Sequence, residues 1–156
     1  MTYNIEILLD INDEFSTFLN TRIKEFNNQH SVHHRNARQK ESVQPITIIV
    51  TDEDKNWIGG ITADVYWDWV EINDFWFREE LRGKGLGGLL LEKTEKIAKE
   101  KGAKKALLTT FEFQARSFYE LKGYKVVGEI KDYPPGSSYY TMVKTLIGEN
   151  TYKNLM

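Results

Sequence analysis

The spacing of apolar and polar positions changes several times along the chain, and each change marks an element. The run Asn4 to Leu9 predicts a first strand, while Phe15, Phe18, Leu19, Ile23 and Phe26 keep helical spacing from about Asn12 to Asn28. Asn12, followed by Asp13 and Glu14, is a good helix start. From Gln29 to Gln44 the chain turns polar and basic without a clear period, carrying His30, His33, His34, Arg35, Arg38 and Lys40. A mobile loop or short helix is predicted there, placed to gate a pocket or simply to cover surface. Then Ile46 to Thr51, Trp57 to Trp67 and Trp69 to Phe77 read as three strands of an antiparallel meander, with a turn at Asp52 to Asn56 and a Gly59-Gly60 irregularity. In the third of these, Val70, Ile72 and the aromatics at 75 to 77 break simple alternation, as in a strand buried on both faces or carrying a bulge.

The second half changes character. Gly87 to Lys101 predicts a helix whose stripe of Leu86, Leu90 and Ile97, with Leu89 and Ala98 beside it, suits packing on a sheet, and Gly102 caps it. Ala106 to Phe111 reads as a strand, Gln114 to Lys122 as a short helix ended by Gly123, Tyr124 to Ile130 as a strand and Tyr139 to Leu146 as the last one. Strand, helix, strand, helix, strand implies parallel crossovers. The expectation is one α/β domain over residues 1–147, a mixed and mostly antiparallel sheet of about seven strands flanked by helices, with 148–156 as a frayed tail.

Composition narrows the chemistry. The chain has 156 residues, 40% of them hydrophobic, which is enough for one sizeable core. It has no cysteine, so catalysis and ligand binding must use oxygen and nitrogen groups, and neither a metal site nor a disulfide is expected. No basic-then-apolar leader and no long apolar run is present, so a cytoplasmic protein with no membrane role is expected. The net charge of -2 argues against nucleic-acid binding. Its distribution is lopsided: residues 1–81 hold 7 Lys+Arg and 15 Asp+Glu, whereas residues 82–156 hold 14 and 8. Lys93, Lys96, Lys99, Lys101, Lys104 and Lys105 are read as a solvated surface, with Glu92 to Lys96 and Glu95 to Lys99 as helix pairs.

The basic half opens on Arg82-Gly83-Lys84-Gly85-Leu86-Gly87-Gly88, between a strand and a helix. Four glycines in six residues allow a very close backbone approach, and the helix that follows points unpaired N–H groups and a positive dipole end into the loop. A phosphate chain fits such a cradle. A nucleoside-triphosphate loop is excluded because Lys84 is followed by Gly85 rather than Ser or Thr. A dinucleotide fingerprint matches formally at Gly83, Gly85 and Gly88, with Glu112 as the ribose acid, but the charged linker Arg78 to Arg82 stands where that fold has its first glycine.

Arg82-x-x-Gly85-x-Gly87 resembles the acyl-CoA pyrophosphate motif of the GNAT superfamily of N-acetyltransferases, and the segment Gln114-Ala115-Arg116-Ser117-Phe118-Tyr119-Glu120-Leu121-Lys122-Gly123-Tyr124 resembles that family's second signature. The resemblance covers about residues 45–146. Gln114 stands near where the family often has an asparagine, and Tyr124 replaces the usual phenylalanine. The resemblance implies transfer of acetyl from acetyl-CoA to a small-molecule or peptide amine by direct attack, in a family where homodimers are common. A CoA-binding regulatory or sensor module without turnover is the alternative. By position, residues 82–88 (Arg82, Gly83, Lys84, Gly85, Leu86, Gly87, Gly88) would hold the pyrophosphate, and the backbone of Phe75, Trp76 and Phe77 the pantetheine arm and thioester carbonyl. Gln114 and Ser117 would also touch the arm. A bulky residue at Gly87 is expected to obstruct the phosphate.

An attacking amine must be neutral, yet a lysine-like amine has a pKa of ~10.4. A base therefore helps. Glu71 lies 14 residues before Gly85, where the histone-acetyltransferase branch carries its general base, with Asp68 and Asp74 as weaker alternatives; other members of the family use water. Tyr119 occupies the family's general-acid position. The acidic first half of the chain, with Asp64, Asp68, Glu71 and Asp74 on strands leading to the cleft, predicts a cationic acceptor, while Arg35, Arg38 and Lys40 could instead hold an acceptor carboxylate. The acceptor's identity is expected to depend on residues 11–44 and 131–139.

Overall fold

The computed structural model describes residues 1–39 and 42–147, so the predicted tail and Lys40 lie outside the described residues. The chain forms two compact units, Met1–Gln39 and Lys40–Met156.

In the first unit, α1 (Asp13–His30) begins where the Asn12 side chain accepts the Phe15 N–H at 2.9 Å, with Asp13 and Glu14 at the positive end of the helix dipole. Ser31 ends it and caps α2 (Val32–Ala37), the short helix predicted within the polar stretch. Residues 4–9 form no strand. A strand exists only by pairing its N–H and C=O groups with a neighbour, and these six residues take part in no ladder.

Among the described residues, the second unit is one sheet of six strands with two helices: β1 (Gln44–Thr51), β2 (Trp57–Tyr66), β3 (Trp69–Phe77), a 3-10 turn (Glu79–Leu81), α3 (Leu86–Glu100), β4 (Lys105–Phe111), α4 (Arg116–Leu121), β5 (Lys125–Lys131) and β6 (Ser138–Thr145). The order across the sheet is β1-β2-β3-β4-β6-β5. As expected, β1 to β3 form the antiparallel meander and the crossover through α3 makes β4 parallel to β3. The second crossover also returns β5 parallel in direction to β4, but β6 inserts between them and pairs antiparallel with both.

One face of the sheet is covered by α3. Val70, Ile72, Ala106, Leu108 and Met142 point to the buried side, against Leu90, Leu91 and Ala98 of the helix. Full burial contributes roughly 1.5–3 kcal/mol for each large aliphatic side chain. The inward face of α3 is rotated from the predicted stripe: Gly88, Leu90, Leu91, Thr94, Glu95 and Ala98 are buried, whereas Leu89 is exposed. The rotation carries Glu95 into the core. There it does not make the expected helix pair with Lys99. Both its carboxylate oxygens accept from Lys144 Nζ of β6, at 2.5 and 3.0 Å, because a buried carboxylate requires a cation on the buried side. The Gly102 cap forms as predicted, with Ala103 N–H donating to the Ala98 carbonyl at 2.9 Å.

Tyr124 packs beside this pair, with Lys144 Nζ 5.6 Å from its ring centre. Its hydroxyl is buried and makes no hydrogen bond to the described residues. Burial, then the charge of Glu95, pushes its phenol far up. An unpaired buried hydroxyl costs about 1–3 kcal/mol, so Tyr124→Phe is expected to raise stability by about 1 kcal/mol after a small packing loss. The urea midpoint of the variant measures this; a lower midpoint would mean that the hydroxyl has a partner.

Candidate active site

β3 and β4 pair over only three residues, Trp69 with Lys105, Val70 with Ala106 and Glu71 with Leu107, and then separate. The cause lies on the other side of β3. Thr62 of β2 is opposite Asp74 while its neighbour Ala63 is opposite Ile72, so Asn73 is an extra residue, and the bulge bends β3 away from β4. The predicted irregularity in this strand is therefore a bulge.

Beyond the bulge, ladder geometry decides which backbone groups stay free. Arg78 N–H donates to the Ile58 carbonyl at 2.9 Å, which makes 58/78 a bonded pair and, by antiparallel alternation, 60/76 another. Trp76 thus faces β2, and its backbone is taken up by the ladder, unlike that of its two neighbours. Phe75 and Phe77 turn their N–H and C=O toward the split. The Phe77 carbonyl is already occupied, since Arg82 Nε and a terminal guanidinium nitrogen donate to it at 3.3 and 3.2 Å. On the opposite wall, Glu112 N–H donates to the Ser138 carbonyl, so even-numbered residues of β4 face β6 and Thr109 faces the split. Thr109 was not identified from the sequence. Only the divergence of the two strands exposes its backbone.

The glycine loop lies at the end of this split. Gly83 and Gly85 have φ of 73° and 80°, a region that disfavours side chains, and a Cβ on either would meet nothing within 4 Å. α3 starts at Leu86 with no side-chain cap, and the N–H groups of residues 83–88 donate to nothing among the described residues. They form a cradle of unpaired donors at a helix N-terminus. Lys84 is exposed beside it.

Two features of the cradle were not anticipated. A Cβ on Gly87 would point inward, 3.4 Å from Phe118 and 3.8 Å from Phe75, rather than toward the loop's open side. A bulky residue there would press on the aromatic cluster, not on a phosphate, because the helical backbone aims that position at the sheet. Meanwhile, a Cβ on Gly88 would meet Lys122 Nζ at 2.7 Å, so the lysine at the end of α4 lies over the first turn of α3. This cation belongs to the cradle in space although it is 34 residues away in sequence.

Tyr119 on α4 is buried, in ring contact with Phe75, Phe118 and Tyr124 at 6.4, 5.2 and 5.7 Å. Its hydroxyl makes no hydrogen bond to the described residues, and burial pushes its phenol up to about 12. Glu71, the last paired residue before the split, accepts from the Tyr66 hydroxyl at 2.6 Å. That bond, together with burial and the carboxylate charge, pushes the Tyr66 phenol up to about 12. Asp64 faces Glu71 across β2 and β3, held by Asn73 Nδ2 at 3.0 Å. The alternative carboxylates are engaged elsewhere: Asp68 pairs with Lys104 at 3.6 Å and Asp74 accepts from Thr62 at 3.2 Å. Gln114 turns its carbonyl oxygen to the Phe111 N–H at 2.9 Å, and its NH₂ donates to nothing among the described residues. Ser117 is exposed on α4.

Comparison with known proteins agrees with this geometry. Residues 9–124 match the sequence profile of the acetyltransferase (GNAT) family. The blasticidin-S acetyltransferase of Streptomyces morookaense is 37% identical over 89 residues, 56% of this chain and 65% of that protein. The chain thus spans about two thirds of the length of that relative. A crystal structure of an acetyltransferase from Bacillus cereus superposes with a TM-score of 0.74 at 27% identity, covering 90% of this chain and 97% of the other. The fold is shared as well with an aminoglycoside 6'-N-acetyltransferase complexed with coenzyme A, at a TM-score of 0.59 and 16% identity, over 92% of this chain and 99% of that one.

The raised Tyr119 phenol has a consequence for stability. In the unfolded chain a tyrosine ionises near ~10, whereas in the folded protein Tyr119 stays protonated up to about 12. Its contribution is therefore complete below pH ~10 and is lost as pH rises from ~10 to ~12. Urea unfolding across that window is expected to show wild type losing about 2–3 kcal/mol more than Tyr119→Phe. Equal losses would show that the phenol is not buried.

Proposed function

The chain belongs to the GNAT acetyltransferase family, and from that membership we propose that it transfers the acetyl group of acetyl-CoA to a primary amine of a small molecule, by direct attack within a ternary complex. The observation that carries this reading is the split between β3 and β4, opening beside a cradle of unpaired N–H groups. A pantetheine arm is a chain of amides, and the split offers it unpaired backbone groups at Phe75, Phe77 and Thr109. The pyrophosphate fits the N–H groups of residues 83–88, with Lys122 and Lys84 supplying charge. In this reading Arg82 acts indirectly, tying the Phe77 carbonyl and so fixing where the loop leaves β3. Gln114 and Ser117 remain proposed contacts to the arm.

The thioester carbonyl then lies in the split, where Phe75 N–H is the free donor for the developing oxyanion. Glu71 takes the proton of the attacking ammonium, with Tyr66 holding the carboxylate. The amine nitrogen bonds to the carbonyl carbon, the C–S bond breaks, the departing thiolate takes the Tyr119 proton, and the second proton lost by the nitrogen restores the tyrosine while Glu71 passes the first to solvent. Burial weakens that phenol as an acid, but the same dry surroundings destabilise a thiolate. Between the free groups the transfer is uphill by ~1.5 pKa units, about 2 kcal/mol. The name of the S. morookaense relative puts blasticidin-S among the acceptors to test first.

Acetyl-CoA is expected to raise the melting temperature, and release of CoA thiol across a panel of amines should identify acceptors. Stabilisation without turnover on any amine would leave a CoA-binding module in place of an enzyme. Tyr119→Phe should retain acetyl-CoA affinity while turnover falls about ten- to a thousandfold. Glu71→Gln should flatten the acidic limb of the pH–rate profile, and an unchanged profile would assign the base to water. Lys122→Ala is expected to weaken acetyl-CoA binding about three- to tenfold at low salt, the difference shrinking as salt screens it. A loss independent of salt would place Lys122 outside the cradle.

A further inference from the structure

A second concavity of about 440 Å³ opens at the far end of β4, lined by Thr109, Thr110, Phe111, Gln114, Ile130, Tyr133 and Tyr139. None of these side chains is charged. Three are aromatic and in mutual contact, Phe111 with Tyr139 at 4.8 Å, Tyr133 with Tyr139 at 5.7 Å and Phe111 with Tyr133 at 6.2 Å. Phe113 stacks on Phe111 at 5.4 Å with only 9° between the rings, yet is 69% exposed. Tyr133 and Ile130 are also more than half exposed. A cluster that served only as core would be covered.

Its position relative to the proposed base follows from register. Residues opposite one another in a ladder project from the same face of the sheet. Glu71 is opposite Leu107, and Phe111, four residues further along β4, is opposite Tyr139, which is opposite Ile130 in turn. Glu71 and the aromatic wall therefore share a face, with Phe111 roughly 13 Å beyond Leu107 along the strand. The other face is the one covered by α3, whose first turn forms the cradle, and Tyr119 packs on the Phe75 ring of that side's core. The two reactants meet in the split from opposite faces of the sheet.

We infer that this concavity holds the body of the acceptor, and that the acceptor is a primary amine carried on a flat, uncharged ring system by a spacer of several bonds. The inference rests on the acetyltransferase reading. The amine end meets carboxylates, Glu71 and Asp64, which suit a cation. The other end meets π faces and the neutral Thr109 hydroxyl, which suit an uncharged planar ring. A polyamine or a multiply charged sugar would place ammonium groups where no carboxylate lines the wall.

The test uses matched amines of equal reach, 6-phenylhexylamine and 6-cyclohexylhexylamine, with spermidine as a polycation. Wild type is expected to acetylate the phenyl compound with kcat/KM about three- to tenfold above the cyclohexyl one, with spermidine poorest. Tyr133→Leu, an exposed position, should raise KM for the phenyl compound several-fold and erase the preference, with kcat and acetyl-CoA affinity little changed. Saturation-transfer NMR on the CoA-loaded protein gives a readout without turnover: the phenyl protons should receive saturation in wild type and lose it in Tyr133→Leu. If acetyl-CoA binds and amines react with no ring preference, or Tyr133→Leu changes neither KM nor saturation, the inference fails alone. If acetyl-CoA does not bind, it falls together with the acetyltransferase reading.

Discussion

The site depends on an incomplete ladder. Parallel strands normally satisfy each other's N–H and C=O groups along their length, and leaving several unpaired inside a sheet is unfavourable unless something else satisfies them. Here the single extra residue Asn73 bends β3 after three pairs with β4, so that free donors and acceptors line a gap in the middle of the sheet. Part of the demand is met internally, by Arg82 on the Phe77 carbonyl and by Gln114 on the Phe111 N–H. The remainder at Phe75, Phe77 and Thr109 is what an amide-bearing cofactor arm can complete.

The split also sets where everything else must be. α3 can only begin once the chain has left the bent end of β3, which puts its unpaired first turn beside the gap. α4 follows β4 across the same gap, and its C-terminal end brings Tyr119 under Phe75 and Lys122 over Gly88. The aromatic contacts among Phe75, Phe118 and Tyr119 join the two helices to the wall of the split. In this arrangement Tyr119 and Glu71, the proposed acid and base, stand on different sides of one opening.

Packing on the covered face follows a different economy. Glu95 and Lys144 form a charged pair at the level of Tyr124 and take no part in the proposed chemistry. Burying it is expensive, but separating either partner would cost more. The pair links α3 to β6, the strand inserted between β4 and β5, and so ties the helix that carries the cradle to the strand that completes the aromatic wall.

Periodicity and glycine placement in the chain settled the meander, both helices of the second unit, the cap at Gly102 and the cradle, because these depend on local backbone preferences and on spacing within a few residues. The two signatures around Arg82 and Tyr119 likewise identified the family. Other features needed tertiary structure. Asn4 to Leu9 reads as a strand by composition, but a strand is a property of a pair and no partner is present among the described residues. Glu95 looks like a surface helix residue until the rotation of α3 turns it inward, and Trp76 looks equivalent to Phe75 and Phe77 until ladder alternation separates them. Lys122, Thr109 and the wall formed by Phe111, Tyr133 and Tyr139 reach their places only through strand order and register, which are set by contacts between residues distant in sequence and leave no local pattern in the chain.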